Sequence, residues 1–183
     1  MDNNTLRTLL LGLKVHYANA EEVEKIIINC ALVAATADAV GSAIPGIAIP
    51  ATIVGCFGAV WAMYGLICAK LGIILKGHVL KLLARAALSN ILMNLGGAMI
   101  ASFAGMFIPG ASIAVSAVVT FVTIYLAGWI FLQLIAKLAD ESSDPHSFSD
   151  IGEAKMKAVI KETKVSKDDL DAARAVYKEN KKD

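Results

Sequence analysis

Acidic residues are almost absent from the middle of the chain. Eleven of the sixteen Asp and Glu residues lie from Asp140 onward and four lie before Lys25, so Asp38 is the one acid between Ile26 and Ala139. That interval holds four apolar stretches, each long enough to cross a bilayer as a helix. Lipid offers no hydrogen-bond partners, so a crossing stretch must satisfy its own backbone groups. We therefore predict an all-α membrane protein.

Cysteine and histidine are scarce, and no catalytic constellation is visible. The three cysteines lie in apolar runs, where thiols behave as small hydrophobes, and the three histidines lie far apart in the sequence. The spacing therefore gives no disulfide framework and no metal site. A net charge of +1 offers no electrostatic case for nucleic-acid binding. We expect no enzymatic activity, no cofactor and no nucleic-acid partner.

Two proline turns divide the apolar region. Pro45-Gly46 and Pro109-Gly110 each follow an isoleucine, and proline followed by glycine marks a sharp break between helices. We predict four transmembrane helices in two tandem hairpins, with bounds near 25–43, 47–75, 79–107 and 111–139. The second and fourth helices, at about 29 residues or about 43 Å each, exceed the bilayer thickness and must tilt or protrude.

The two hairpins resemble copies of each other. At an offset of 64 residues, nine of 24 aligned positions between Ala34/Ala98 and Phe57/Phe121 are identical. The predicted repeat halves are about 25–75 and 79–139. An even number of helices per copy keeps both copies in one orientation, so the repeat is parallel, unlike the inverted repeats of many transporters.

Basic residues indicate the orientation in the membrane. They precede the first helix, bracket the connection between the hairpins and end the fourth helix, whereas the two Pro-Gly turns carry no charge. The positive-inside rule then places both termini and the middle loop in the cytoplasm, and we expect a bacterial inner-membrane protein. The basic residues used are Arg7, Lys14, Lys25, Lys70, Lys76, Lys81, Arg85 and Lys137.

Polar segments flank the membrane domain, predicted at 25–139. Residues 1–24 form a polar or amphipathic N-terminal segment, and residues 140–183 form a short helical cytoplasmic tail. Two tail helices are predicted from capping-box spacing, at Asp150 with Glu153 and at Ser166 with Asp169. The tail has too few apolar positions for a core of its own, so we expect it to dock on a protein partner or to fray. Those positions are Ile151, Met156, Val159, Ile160, Leu170, Val176 and Tyr177.

Asp38 is the candidate functional residue. An ionisable group inside a span is costly, and it marks either a buried polar contact or a path for a proton or cation. Ser42 and Thr52 are the nearest polar partners within its own hairpin, and no cation lies within reach there. These three residues form the candidate intramembrane polar site.

Small and amide side chains are candidates for helix packing. Small residues recur every four positions in the first and third helices, where they permit close approach of backbones in lipid. The contacts either seal the four helices of one subunit or support a homo-oligomer. The aromatic residues Trp61, Tyr64, Tyr125 and Trp129 are interpreted as packing residues. The small and amide residues are Ala31, Ala35, Ala39 and Ala43 in the first helix, and Asn90, Asn94, Gly97, Ala101 and Gly105 in the third.

Residues 35–139 resemble the YcjF-like membrane domain of unknown function. The resemblance rests on Trp61-Ala-Met-Tyr64-Gly65, on Leu71-Gly72-Ile73 and on the turn Phe107-Ile108-Pro109-Gly110. Members of that family are often fused to, or encoded beside, small GTPase domains. This chain contains no Gly-Lys-Ser or Gly-Lys-Thr of a phosphate-binding loop. The resemblance therefore implies a membrane partner of other proteins, not a GTPase.

Three functions follow from these observations. The preferred hypothesis is a small integral membrane protein that acts as a membrane-anchored interaction or regulatory module. The alternative is an oligomeric pore or an ion- or proton-conducting protein that uses Asp38. A third hypothesis is a chain that is soluble until it inserts, and the short tail argues against it because few charged helices are available to surround the apolar ones.

Overall fold

The computed structural model describes residues 18–41, 48–77, 79–87, 112–144, 148, 151–163 and 165–181. Six helices and no strands occur within these residues, so the all-α prediction is confirmed there. The helices are α1 (Ala18–Gly41), α2 (Ala48–Leu71), α3 (described at 77 and 79–87), α4 (Ser112–Glu141), α5 (Glu153–Glu162) and α6 (Lys167–Asn180). The predicted residues Ser42, Pro45, Gly46, Asn90, Asn94, Gly97, Ala101, Gly105, Pro109 and Gly110 lie outside the described residues.

Helix α4 lies at the centre of the fold, in contact with α1, α2, α5 and α6. Helix α1 runs antiparallel to it, since Asp38 near the end of α1 meets Thr120 near the start of α4 and Ile27 meets Gly128 further along. An ion pair between Glu22 and Lys70 joins the start of α1 to the end of α2. Helix α2 is therefore antiparallel to α1 and parallel to α4.

One described helical stretch, Ala117–Glu141 within α4, is long and apolar enough to cross a membrane. A second apolar stretch, Gly58–Leu71, is shorter. Other parts of the protein bury 78% of the most apolar part of α4. The core helix of a soluble protein is buried in the same way, so length and composition alone do not identify α4 as a transmembrane helix. The described residues thus support one candidate span, and four transmembrane helices in tandem hairpins are not confirmed.

Helix α2 ends at Leu71, four residues before the predicted bound. Gly72 adopts a left-handed conformation with φ of 67°, and the backbone amide of Ile73 donates to the carbonyl of Cys68 at 2.9 Å. This is a Schellman motif, in which glycine avoids the steric penalty that a side chain pays at positive φ. At 24 residues, or about 36 Å at 1.5 Å per residue, α2 is shorter than predicted.

Helix α1 begins at Ala18, inside the segment predicted to precede the membrane domain. Its first turns are amphipathic, with Ala20, Val23 and Ile27 buried and the acidic residues beside them exposed or half-buried. Further along, Ala31 and Ala35 of the predicted small-residue stripe are buried. These two positions of the stripe therefore pack inside the protein, as expected if the stripe seals the helices of one subunit.

The described residues cover the two predicted repeat halves unequally. Helices α2 and α4 run parallel in the described residues. The described part of the chain omits most of the third predicted helix, so the duplication stays a prediction.

The tail folds back on α4. Five of the seven predicted apolar positions are buried and the other two are partly buried, so the chain itself covers this face. The Ser166–Asp169 capping box at the start of α6 is confirmed. At α5 the cap differs, because Gly152 is the N-cap and forms no side-chain bond. Phe148, between α4 and α5, is buried at a φ of 52°.

The contact between Gly128 and Ile27 can be tested by adding one methyl group. A Cβ at position 128 would lie 2.9 Å from two side-chain carbons of Ile27, closer than real contacts allow. We expect Gly128→Ala to lower the free energy of unfolding by about 1–3 kcal/mol, measured by denaturant unfolding followed by circular dichroism.

Gly65→Ala on α2 is the matched control, since nothing lies within 4 Å of a Cβ there. Alanine is the better helix former, so this variant should gain up to about 1 kcal/mol. Adding Ile27→Ala to Gly128→Ala should relieve the clash. Similar changes in stability for the two glycine variants would contradict the proposed packing.

Candidate functional site

Asp38 lies in the contact between α1 and α4. Its side chain is 7% exposed, and the hydroxyl of Thr120 donates a hydrogen bond to Asp38 Oδ2 at 2.9 Å. Thr120 is itself 3% exposed. A buried carboxylate is costly unless it is hydrogen-bonded, so this bond lowers the cost of burial and ties the two helices together. Asp38 thus forms a buried polar contact between two helices.

The described residues do not test the two predicted partners of Asp38. Ser42 lies outside the described residues, and Thr52 lies in α2, where the structure describes the backbone alone at that position. Sequence reasoning sought partners within one hairpin and so missed Thr120. A search of the other predicted hairpin would have included Thr120, because the predicted turns lie seven residues after Asp38, at Pro45, and eleven residues before Thr120, at Pro109.

Tyr64 joins α2 to α4 by two contacts. Its ring stacks on Phe131 with centroids 3.8 Å apart, and its hydroxyl donates to the backbone carbonyl of Ala127 at 3.0 Å. Tyr64 and Phe131 are fully buried. The interpretation of Tyr64, Tyr125 and Trp129 as packing residues agrees with their burial, whereas Trp61 is half-buried. The hydroxyl bond of Tyr64 was not foreseen.

Helix α6 covers another side of α4. Tyr177, near the end of α6, contacts the ring of Phe121 at 5.1 Å, whereas Val165 and Asp169 at its start line a cleft with Tyr125, Trp129 and Gln133. The two helices are therefore antiparallel. Their contact extends from Phe121 to Gln133, which is the middle of the candidate span.

Two buried donors on adjacent turns of α4 lie in this contact, near enough to interact with each other but without a well-aligned hydrogen bond among the described residues. They are the hydroxyl of Tyr125, whose residue is 1% exposed, and the indole N–H of Trp129, whose residue is 3% exposed. An unsatisfied buried donor costs about 1–3 kcal/mol. The contact between α4 and α6 is thus less favourable than its apolar area alone suggests.

The charge of α6 restricts where this packing can exist. Seven of its fourteen residues are Asp, Glu, Lys or Arg. Placing one Asp, Lys or Arg at the centre of a bilayer costs about 2.5–3.5 kcal/mol. A helix with this composition cannot lie among acyl chains, so α4 cannot cross a membrane while α6 covers its middle.

Within the described ranges, no group of three or more His, Cys, Asp or Glu side chains could hold a metal ion. The polar contacts that are seen, at Asp38 and Tyr64, join one helix to another. Comparison of the chain with protein-family models, curated proteins and solved structures finds no match. The resemblance to the YcjF-like domain therefore remains a prediction.

Removing the donor to Asp38 should weaken the contact between α1 and α4. Thr120→Val keeps the shape of the side chain but leaves the carboxylate without this hydroxyl, and we expect a loss of about 1–3 kcal/mol in the free energy of unfolding. Thr123→Val is the control, because the hydroxyl of Thr123 bonds to Val119 within α4. Equal losses in the two variants, measured by denaturant unfolding, would show that the Asp38 bond contributes nothing specific.

The two buried tyrosines of α2 and α4 should respond differently to loss of the hydroxyl. Tyr64→Phe keeps the stacked ring but removes the bond to Ala127, at an expected cost of about 0.5–1.5 kcal/mol. Tyr125→Phe removes a hydroxyl that forms no well-aligned hydrogen bond among the described residues and should leave the stability unchanged or higher. Both free energies can be measured by denaturant unfolding. A loss at Tyr125 as large as at Tyr64 would show that its hydroxyl has an effective partner, either Trp129 or a residue outside the described ones.

Proposed function

We propose that this protein is a membrane-associated helical module that acts through interaction or regulation and not through catalysis. The observation that supports this most is the composition of α4. Its 30 residues run from Ser112 to Glu141, and the stretch Ala117–Glu141 is long and apolar enough to cross a membrane. A helix that is apolar on every side is covered either by protein or by lipid. The protein associates with a membrane if lipid, and not only protein, covers the apolar surface of α4.

The full topology in this proposal has four membrane helices in two tandem hairpins, with both termini in the cytoplasm of a bacterial cell. The antiparallel pair α1 and α2 is compatible with the first hairpin, since the ion pair of Glu22 with Lys70 holds the charged ends of these helices together. The parallel course of α2 and α4 is compatible with the second hairpin. In this state α6 does not lie against the middle of α4.

The proposed protein partner meets the tail. In the described packing the apolar face of α5 and α6 is covered, so the surface open to a partner is polar and charged. Exposed positions of both signs lie along it. They include Lys161, Glu162, Asp168, Lys178 and Glu179. A partner that instead needs the apolar face can bind after the tail has left α4.

The alternative function, an oligomeric pore or ion-conducting protein, depends on Asp38. This residue is the one buried acid among the described side chains, and it faces α4, the candidate span. The hydrogen bond from Thr120 gives Asp38 a structural role in holding α1 to α4. This role favours the interaction module, because it requires no ion transport. A conducting role would need Asp38 to exchange a proton or bind a cation during transport.

Vesicle flotation tests the proposal. Purified protein is mixed with vesicles of equimolar phosphatidylethanolamine and phosphatidylglycerol that contain a self-quenched dye, then centrifuged through a density gradient. We expect the protein to float with the lipid and the dye to stay inside, because the module binds without forming a pore. Protein that stays at the bottom at every lipid concentration would contradict membrane association. Leakage that is lost in Asp38→Asn would favour the conducting alternative.

A further inference from the structure

The face of α4 that α6 covers is apolar, so the hydrocarbon of a lipid bilayer could cover it in place of α6. Resting on the membrane association proposed above, we propose that this face is a lipid-binding surface and that α5 and α6 form a detachable cover over it. The cover and the bilayer compete for the same residues of α4. Membrane insertion of α4 is therefore controlled by release of the tail.

The first support is positional. The aromatic contact of Tyr177 with Phe121 and the cleft that Asp169 shares with Trp129 place α6 along the middle of the candidate span. A span of about 20 residues within α4 must include this region. No choice of span therefore leaves the contact with α6 outside the bilayer.

The second support is chemical. Half of the residues of α6 carry a charge, so α6 remains in water while α4 enters lipid. Its apolar residues Leu170, Ala173 and Tyr177 are buried when α6 is docked. Helix α6 thus presents an apolar face to α4 and a charged face to water. A cover that keeps an apolar helix soluble needs both faces.

The third support is the difference between the two sides of α4. On the α1 side the helices approach so closely that Ile27 fills the space beside Gly128, and a buried hydrogen bond joins them. On the α6 side, the buried donors of Tyr125 and Trp129 form no well-aligned hydrogen bond to α6, and the ion pair of Lys155 with Glu141 is about half exposed. Exposed ion pairs add little stability. The proposed cover is accordingly the tail and not α1.

A pair of matched variants tests the release of the tail. Ala173 is fully buried in the contact of α6 with the rest of the protein, whereas Ala175 of the same helix is exposed. Ala173→Asp places a charge in the contact and frees the tail, and Ala175→Asp adds the same charge on the water side. Releasing the tail raises the fraction of binding-competent protein. We expect the lipid partition coefficient of Ala173→Asp, measured by flotation with the vesicles described above, to rise at least about fivefold over the wild type.

A reversible disulfide between the tail and α4 tests whether holding the tail in place reduces lipid binding. This test does not depend on the folding of Ala173→Asp. Gln133 and Val165 line the same cleft from α4 and from the start of α6. In a chain whose three native cysteines are replaced by serine, Gln133→Cys with Val165→Cys joins the tail to α4 upon oxidation. The oxidised form should partition into lipid at least about fivefold less than the reduced form of the same protein. The reduced protein is thus its own control.

The outcomes separate the two proposals. Stronger binding of Ala173→Asp than of Ala175→Asp, together with weaker binding of the oxidised form, supports the detachable cover. Equal binding of all forms overturns the cover and leaves membrane association intact. Absence of binding in every form, including Ala173→Asp with its helical circular dichroism retained, overturns both.

Discussion

A helix that is apolar on every side must be covered on every side, and α4 imposes this constraint on the rest of the fold. In the described structure the covering is protein: α1 and α2 pack along α4, and α5 and α6 close another side. The buried hydrogen bonds of Asp38 and Tyr64 then set the register of α1 and α2 against this central helix. The positions of the other helices follow from the need to keep α4 out of water.

Much of the helical architecture could be predicted from the sequence because local patterns determine it. The fourth helix was expected at about 111–139 and is found at Ser112–Glu141. The Ser166–Asp169 capping box marks the start of α6, since its bonds form within four consecutive residues. The end of α2 was missed, because Gly72 lies inside an apolar run that continues to Leu75 and only its left-handed conformation reveals the stop.

Contacts between distant segments were harder to predict. The hydroxyl that binds Asp38 comes from Thr120, and the tail docks on α4 of the same chain. Neither contact leaves a periodic pattern in the sequence. The number of membrane spans is difficult for a different reason: an apolar helix buried by protein and one surrounded by lipid have the same length and composition. The sequence shows that such a helix must be covered, but not what covers it.

The capping box of α6 favours formation of this helix before it docks on α4. Ser166 and Asp169 satisfy each other's backbone amides without any contribution from α4, so the first turn of the helix is stabilised locally. Nucleation is the slow and unfavourable step in helix formation, and here the cap assists it before any tertiary contact is made. The cap therefore lowers the free-energy cost of the first turn of α6, and packing on α4 stabilises the turns that follow.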